Sequence, residues 1–242
     1  MRLLQFHRGA AGRWRRRGVF GSYGIGARPV QALARLVLAV AVLACATAAE
    51  AADKPVNIVA LGDSLTAGLG LKNEDAFPAK LQRALAAKGI AANVSNAGVS
   101  GDTMSGGLAR LDWSVPPEAE AVIVELGAND ALRGLDPAVT RRALDAILSA
   151  LGRRNIPVLL SGMLAPRNLG ADYARSFDAI FPDLAKTHDA VFYPFFLDGV
   201  AGNAKLNQRD GLHPTAAGVD VIVARILPKV EELIARVQAK PR

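Results

Sequence analysis

Ser64 directly follows a short apolar run, Val56, Ile58, Val59, Ala60 and Leu61, closed by Gly62 and Asp63. A serine hydroxyl is a weak nucleophile until a base takes its proton. Only two histidines lie beyond residue 51, His188 and His213. His188 falls at a predicted helix end beside Asp189, whereas His213 falls in a loop three residues after Asp210. A backbone turn there can set the Asp210 carboxylate on the imidazole Nδ1, fixing the tautomer and stabilising the imidazolium. An oxyanion needs donors aimed at it. Gly101 has no side chain to block its N–H, Asn129 carries an amide, and Ser64 adds its own N–H. This is the set required for acyl transfer. Each member also has a plainer reading. Asp63 and Ser64, or Asp210 and His213 with Pro214, could cap helices, and Gly101 and Asn129 could be turn residues. Their occurrence together, in order, in four separate loops makes chance a poor account.

The elements that must position these residues alternate. Strands are expected over 56–61, 92–96, 121–126, 158–160 and 191–193. Helices are expected over 77–88, 103–111, 137–153 and 172–188, with a last one opening at Pro214 or Thr215. Leu144, Ile147, Leu148 and Leu151 recur at helical spacing, as do Val219, Ile222, Val223 and Ile226. Residues 65–75 read as a polar, Gly-rich loop. Five strand–helix alternations predict an α/β domain: a five-stranded parallel sheet in a three-layer α/β/α sandwich. In such a sheet the reacting groups gather at the carboxyl ends of the strands. The four polar motifs fall there or in the last loop.

Residues 1–35 carry eight arginines and no acid, and 36–49 form an apolar run that ends in small residues. This is a secretory leader pattern, with Ala49-Glu50-Ala51 as an A-x-A exit. Fourteen apolar residues are short of the roughly 20 that a spanning helix needs. The expected division is a leader over 1–51 and one domain over 52–242. A periplasmic or secreted product with no stable membrane span follows. Arg16-Arg17 faintly matches a twin-arginine signal, far from the apolar run. Cys45 is a weak lipid-attachment match, with anchoring as the lesser alternative. Beyond the leader, 21 basic residues face 21 acidic ones, so the net charge of +7 belongs to the leader. The domain's balance gives no reason to expect a nucleic-acid partner. With Cys45 in the leader, the domain has no disulfide and no cysteine nucleophile. Two histidines give metal catalysis little support. The sequence has no centrally placed G-x-S-x-G, and no H-E-x-x-H, P-loop or dinucleotide fingerprint.

The blocks GDSL at 62–65, SGDT at 100–103, GAND at 127–130 and DGLHP at 210–214 resemble the signature blocks of the SGNH/GDSL hydrolase superfamily. The resemblance spans residues 56–238. The VELGAND context and APRN at 165–168 are similar to the bacterial thioesterase I/protease I/lysophospholipase subgroup. It implies a flavodoxin-like fold and a cofactor-free, metal-free hydrolase of aryl esters, lysophospholipids and acyl-CoA thioesters. Ser64 would be the nucleophile, His213 the base, Asp210 its orienting carboxylate, and Ser64, Gly101 and Asn129 the oxyanion hole. Ala128 stands where some members have a second glycine. It adjoins the stretch Ala131 to Asp136, which in the family borders the acyl pocket. An apolar acyl groove is expected from Leu132, Leu135, Met163, Leu164 and Phe196. The cluster Phe192, Tyr193, Phe195 and Phe196 reads as core and pocket wall. A carbohydrate O-acetyl esterase on the same fold, or a non-catalytic binding module, are the alternatives. Oligomeric state is left open.

Overall fold

The computed structural model describes residues 54–240. The leader expected over 1–51, with Cys45, lies outside the described residues. Five strands, β1 (Val56–Gly62), β2 (Ala92–Gly98), β3 (Ala121–Glu125), β4 (Val158–Ser161) and β5 (Val191–Tyr193), form one parallel sheet in the order β2-β1-β3-β4-β5. That is the flavodoxin-like order, with its switch point between β1 and β3. Every residue of β3 is buried, matching its continuous apolar sequence. β2 lies at the sheet edge, and its polar residues Asn93, Ser95 and Asn96 are exposed. The register aligns Gly98, Gly62, Glu125, Ser161 and Tyr193 in a single row across the sheet. The segments that carry Ser64, Gly101 and Asn129 leave from this row.

Nine helices follow in sequence order among the described residues: α1 (Ser64–Ala67), α2 (Phe77–Ala87), α3 (Met104–Ala109), α4 (Leu111–Ser114), α5 (Ala128–Leu132), α6 (Pro137–Arg153), α7 (Ala171–Asp178), α8 (Ile180–Thr187) and α9 (Ala216–Gln238). α2 packs with α9 on one face of the sheet, and α6 with α3 and α8 on the other. The apolar stripe of α6 is buried as its spacing requires. The one-turn helix α1 was not expected. Asp63 caps it by accepting from the Leu65 N–H at 3.0 Å, so Ser64 is the first helical residue.

Two expected helices are broken. The 172–188 stretch divides at Ala179 into α7 and α8. Pro182 lies in the first turn of α8; its ring crowds the carbonyl of residue 178 and it has no N–H to give it. The 103–111 stretch ends at Arg110, which joins α3 to α4. There the backbone bends and the Arg110 guanidinium enters the interior.

Two glycines let α1 sit down on the sheet edge. A Cβ on Gly62 would fall 2.0 Å from Thr66 Oγ1 and 2.8 Å from the Glu125 carbonyl oxygen. One on Gly98 would fall 2.3 Å from the Ala67 nitrogen. Gly152, inside α6, has nothing within 4 Å of the same position. Gly62→Ala should therefore destabilise the fold by about 1–3 kcal/mol through overpacking. Gly152→Ala should stabilise it by about 0.5–1 kcal/mol by removing backbone freedom from the unfolded state. Thermal unfolding checks both, and equal effects of the two would show that these contacts do not decide the sign.

Candidate active site

Asp210 and His213 are joined by a local turn. Asp210 Oδ1 accepts from the backbone N–H groups of Leu212 at 2.9 Å and His213 at 3.0 Å. Its other oxygen, Oδ2, lies 2.6 Å from His213 Nδ1. These bonds, the His213 backbone N–H foremost, hold the Asp210 carboxyl down at about 2 although it faces solvent. A carboxylate on Nδ1 leaves Nε2 as the basic nitrogen. That nitrogen lies 2.9 Å from Ser64 Oγ. Ser64, His213 and Asp210 thus form one hydrogen-bonded series. The other histidine is elsewhere: His188 Nε2 sits 2.6 Å from Asp145 Oδ1.

The loop after β2 and the turn after β3 meet beside Ser64. Asn129, in the first turn of α5, donates through Nδ2 to the Asp102 carbonyl at 2.9 Å and to Asp63 Oδ2 at 3.2 Å. Gly101, at φ 85°, accepts from Arg133 Nη2 at 2.8 Å through its carbonyl. Among the described residues, the N–H groups of Gly101 and Ser64 have no hydrogen-bond partner. Unpaired backbone N–H groups are donors that an anion can use. Gly101 is not itself in the cavity wall; it is tied to the site through Asp102 and Arg133.

Sequence reasoning missed the groups that fasten these loops. Arg110 is buried and donates to Asp102 Oδ2 at 2.6 Å, the Ala97 carbonyl at 2.8 Å, Ser114 Oγ at 3.0 Å and the Gly62 carbonyl at 2.8 Å. One guanidinium therefore ties the ends of β1 and β2 to the SGDT loop, a task its rigid fork of donors fits. The available signal was a charge between Leu108 and Leu111, on a face that should be apolar. Asp130 is also buried. It accepts from the Met104 N–H at 2.8 Å and Thr140 Oγ1 at 2.9 Å, joining α5 to α3 and α6. Burial raises its carboxyl.

Two further buried carboxyls lie behind Ser64. Desolvation pushes Asp63 up to about 6, against the pull of the Leu65 N–H and of His213. Glu125 has no exposed surface, and burial followed by the nearby Asp63 pushes it well above its usual range. Glu125 Oε2 accepts from Thr66 Oγ1 at 2.7 Å, while Oε1 has no partner. A charge closing an otherwise apolar strand was visible in the sequence; its neighbours were not.

A cavity of about 400 Å³ opens at the Ser64–His213 pair. Ser64, Asn129 and His213 line it, and Leu132, Met163, Leu164, Phe195, Leu197 and Leu212 make it largely apolar. Of the five residues expected to form a groove, Leu132, Met163 and Leu164 are in the wall. Leu135 and Phe196 are not. Leu135 lies in the turn to α6, where its N–H bonds back to the Asp130 carbonyl, and it is only half-buried. Phe196 is fully buried in the core, edge-on to Phe77 with ring centroids 5.1 Å apart. The Phe196 N–H reaches the Gly162 carbonyl at 2.9 Å, which turns residue 196 inward and leaves Phe195 to the cavity.

The model of the GDSL-like Lipase/Acylhydrolase family matches residues 60–221. Esterase TesA of Pseudomonas aeruginosa is 36% identical over 178 residues, covering 73% of this chain and 89% of its own. Thioesterase 1/protease 1/lysophospholipase L1 of Escherichia coli strain K12 is 37% identical over 187 residues, covering 77% and 87%. Among solved structures, AlinE4, an SGNH-hydrolase family esterase, is 50% identical. It superimposes with a TM-score of 0.63 over 74% of this chain and 96% of its own. The matched span takes in the GDSL turn carrying Ser64, the SGDT loop, the GAND turn and the Asp210–His213 turn, and on that extent of likeness the chain belongs to the GDSL-like lipase/acylhydrolase family.

Proposed function

We propose that this protein is an exported serine hydrolase of acyl esters and thioesters, acting through an acyl-Ser64 intermediate. The observation that carries the reading is the Asp210–His213–Ser64 series, with links of 2.6 and 2.9 Å, opening on an apolar cavity. His213 Nε2 takes the hydroxyl proton as Ser64 Oγ bonds to the acyl carbon. Negative charge moves onto the former carbonyl oxygen, which faces the N–H groups of Gly101 and Ser64 and the Asn129 amide. His213 returns the proton to the departing alkoxide or thiolate, and the acyl group stays on Ser64. A water molecule, deprotonated by the same nitrogen, then releases the acid and restores Ser64. No step draws on a cofactor or metal.

The leaving group departs towards solvent, where alcohol and thiol are tolerated alike. The acyl chain occupies the wall formed by Leu132, Met163, Leu164 and Phe195. This apolar lining favours aryl esters, lysophospholipids and acyl thioesters over acetylated sugars, which need a polar cleft. The names of the relatives, an esterase and a thioesterase/lysophospholipase, support the same class. The leader-like composition of residues 1–51 supports export to the periplasm or beyond, with the hydrolase domain over 52–242. Among the described residues no helix is long and apolar enough to cross a membrane.

Ser64→Ala should abolish turnover of an aryl ester without shifting the thermal midpoint by more than a few degrees; near-normal turnover would remove the central assignment. Asn129→Ala should lower kcat by about 10² to 10³, the usual loss for one oxyanion donor. A change confined to KM would reduce Asn129 to a substrate contact. Phe195→Ala should lower kcat/KM for long acyl chains relative to acetyl esters by roughly tenfold, with only modest loss of stability. Phe196→Ala should instead cost about 3–5 kcal/mol of stability. A chain-length series with denaturation curves tests the pair, and reversed effects would place the acyl wall elsewhere.

A further inference from the structure

Asn129 Nδ2 carries two hydrogens, and both are engaged inside the protein. One goes to the Asp102 carbonyl at 2.9 Å and the other to Asp63 Oδ2 at 3.2 Å. An amide with two acceptors and no spare hydrogen cannot also serve an oxyanion unless one acceptor gives way. The carbonyl of Asp102 is fixed: Arg110 holds the side chain of that residue, and Thr103 caps α3 immediately after it. Its bond is also the shorter. The Asp63 bond is longer, and Asp63 has no exposed surface with which to exchange Asn129 for water.

Resting on the acyl-Ser64 reading, we propose that Asp63 is a positioning residue of the oxyanion hole: its carboxylate holds the second Asn129 hydrogen in the resting enzyme and yields it to the oxyanion as the bond to Ser64 forms. Holding it keeps the amide nitrogen, not the amide oxygen, turned towards the reacting carbon. Yielding it costs little at that moment, because Oδ1 keeps the Leu65 N–H at 3.0 Å and His213 becomes an imidazolium in the same step. The groups facing Asp63 fit this exchange. Glu125 and Asp130 are the neighbouring acids, with Glu125 pushed towards its neutral form by burial, and His213 is the neighbouring base. The asparagine contributes more in the transition state than in the ground state, which is the condition for raising kcat.

The test is a double-mutant cycle with an aryl ester. Asp63→Ser keeps a helix cap for Leu65 and cannot reach Asn129. Asp63→Asn keeps the size but has one acceptor oxygen, so it cannot satisfy both the Leu65 N–H and the Asn129 amide. Each should lower kcat by roughly 10- to 100-fold with KM within about twofold, a part of what a whole donor is worth. In the Asn129→Ala background, Asp63→Ser should cost less than about twofold, because the route through the Asn129 amide is gone. Thermal unfolding identifies any variant that fails to fold, and Asp63→Asn carries the test if Asp63→Ser is lost. Equal losses with and without Asn129, a loss confined to KM, or full activity in folded variants would overturn the proposal. Ser64→Ala separates the two readings: if it is inactive and the cycle is additive, only the role of Asp63 falls; if it is active, both fall.

Discussion

A hydroxyl and an imidazole separated by 149 residues in sequence are held 2.9 Å apart, and most of the architecture at the sheet edge serves that contact. The distance is set from both sides. On the Ser64 side, β1 runs to Gly62, where the absence of a Cβ lets α1 fold back against β3. On the His213 side, the segment before α9 is anchored by the Gln208 N–H to the His213 carbonyl at 2.7 Å. Gln208 Nε2 then reaches the Leu69 carbonyl, also at 2.7 Å, just beyond α1. The loop carrying His213 is therefore bonded to the loop following Ser64. The pair is positioned by these backbone and Gln208 bonds together with the Asp210 contact on His213 Nδ1.

Holding this edge together requires polar groups in a place where the sheet is otherwise apolar. Asp63, Arg110, Glu125 and Asp130 are all buried at or near the carboxyl ends of the strands. Arg110 makes four hydrogen bonds and Asp130 is bonded through both oxygens, so their desolvation is offset in part. Glu125 has one oxygen unpartnered, and its carboxyl is pushed up accordingly. A purely structural design would place leucine or valine there. Buried polar groups that cost stability and cluster behind a reactive side chain are what a trade of stability for preorganisation looks like.

The fold was legible because its signals are local and repeated. The apolar run of β3 and the leucine spacing of α6 identify their elements without tertiary information. The breaks at Ala179 and Arg110 were not read from the same periodicity. Pro182 was a visible cue to the first, whereas the second depends on partners for a guanidinium that only the folded protein supplies. The meeting of the four polar motifs was legible too, because parallel strands bring their carboxyl ends to one edge. The cavity wall was harder. Phe195 and Phe196 are adjacent and chemically identical, yet Phe196, whose N–H bonds to Gly162, is in the core and Phe195 lines the cavity. Nothing in the composition around them carries that choice.

The two aspartates nearest the Ser64–His213 pair show how little residue type decides. Asp210 faces solvent, yet two backbone N–H groups and an imidazole stabilise its charge and hold it at about 2. It stays ionised throughout the neutral range and can orient His213 whatever the substrate does to the local dielectric. Asp63 is buried, and desolvation outweighs its hydrogen bonds, so it rises to about 6. As the pH climbs from 3.8 through that value, the unfolded state gives up its proton before the folded state does, so ionising Asp63 reduces stability over that window. The two carboxyls are shifted in opposite directions by their surroundings alone. A locally wired carboxylate can be exposed and permanently charged. One that shares a donor with a transient oxyanion must be dry, because water would take the hydrogen in its place.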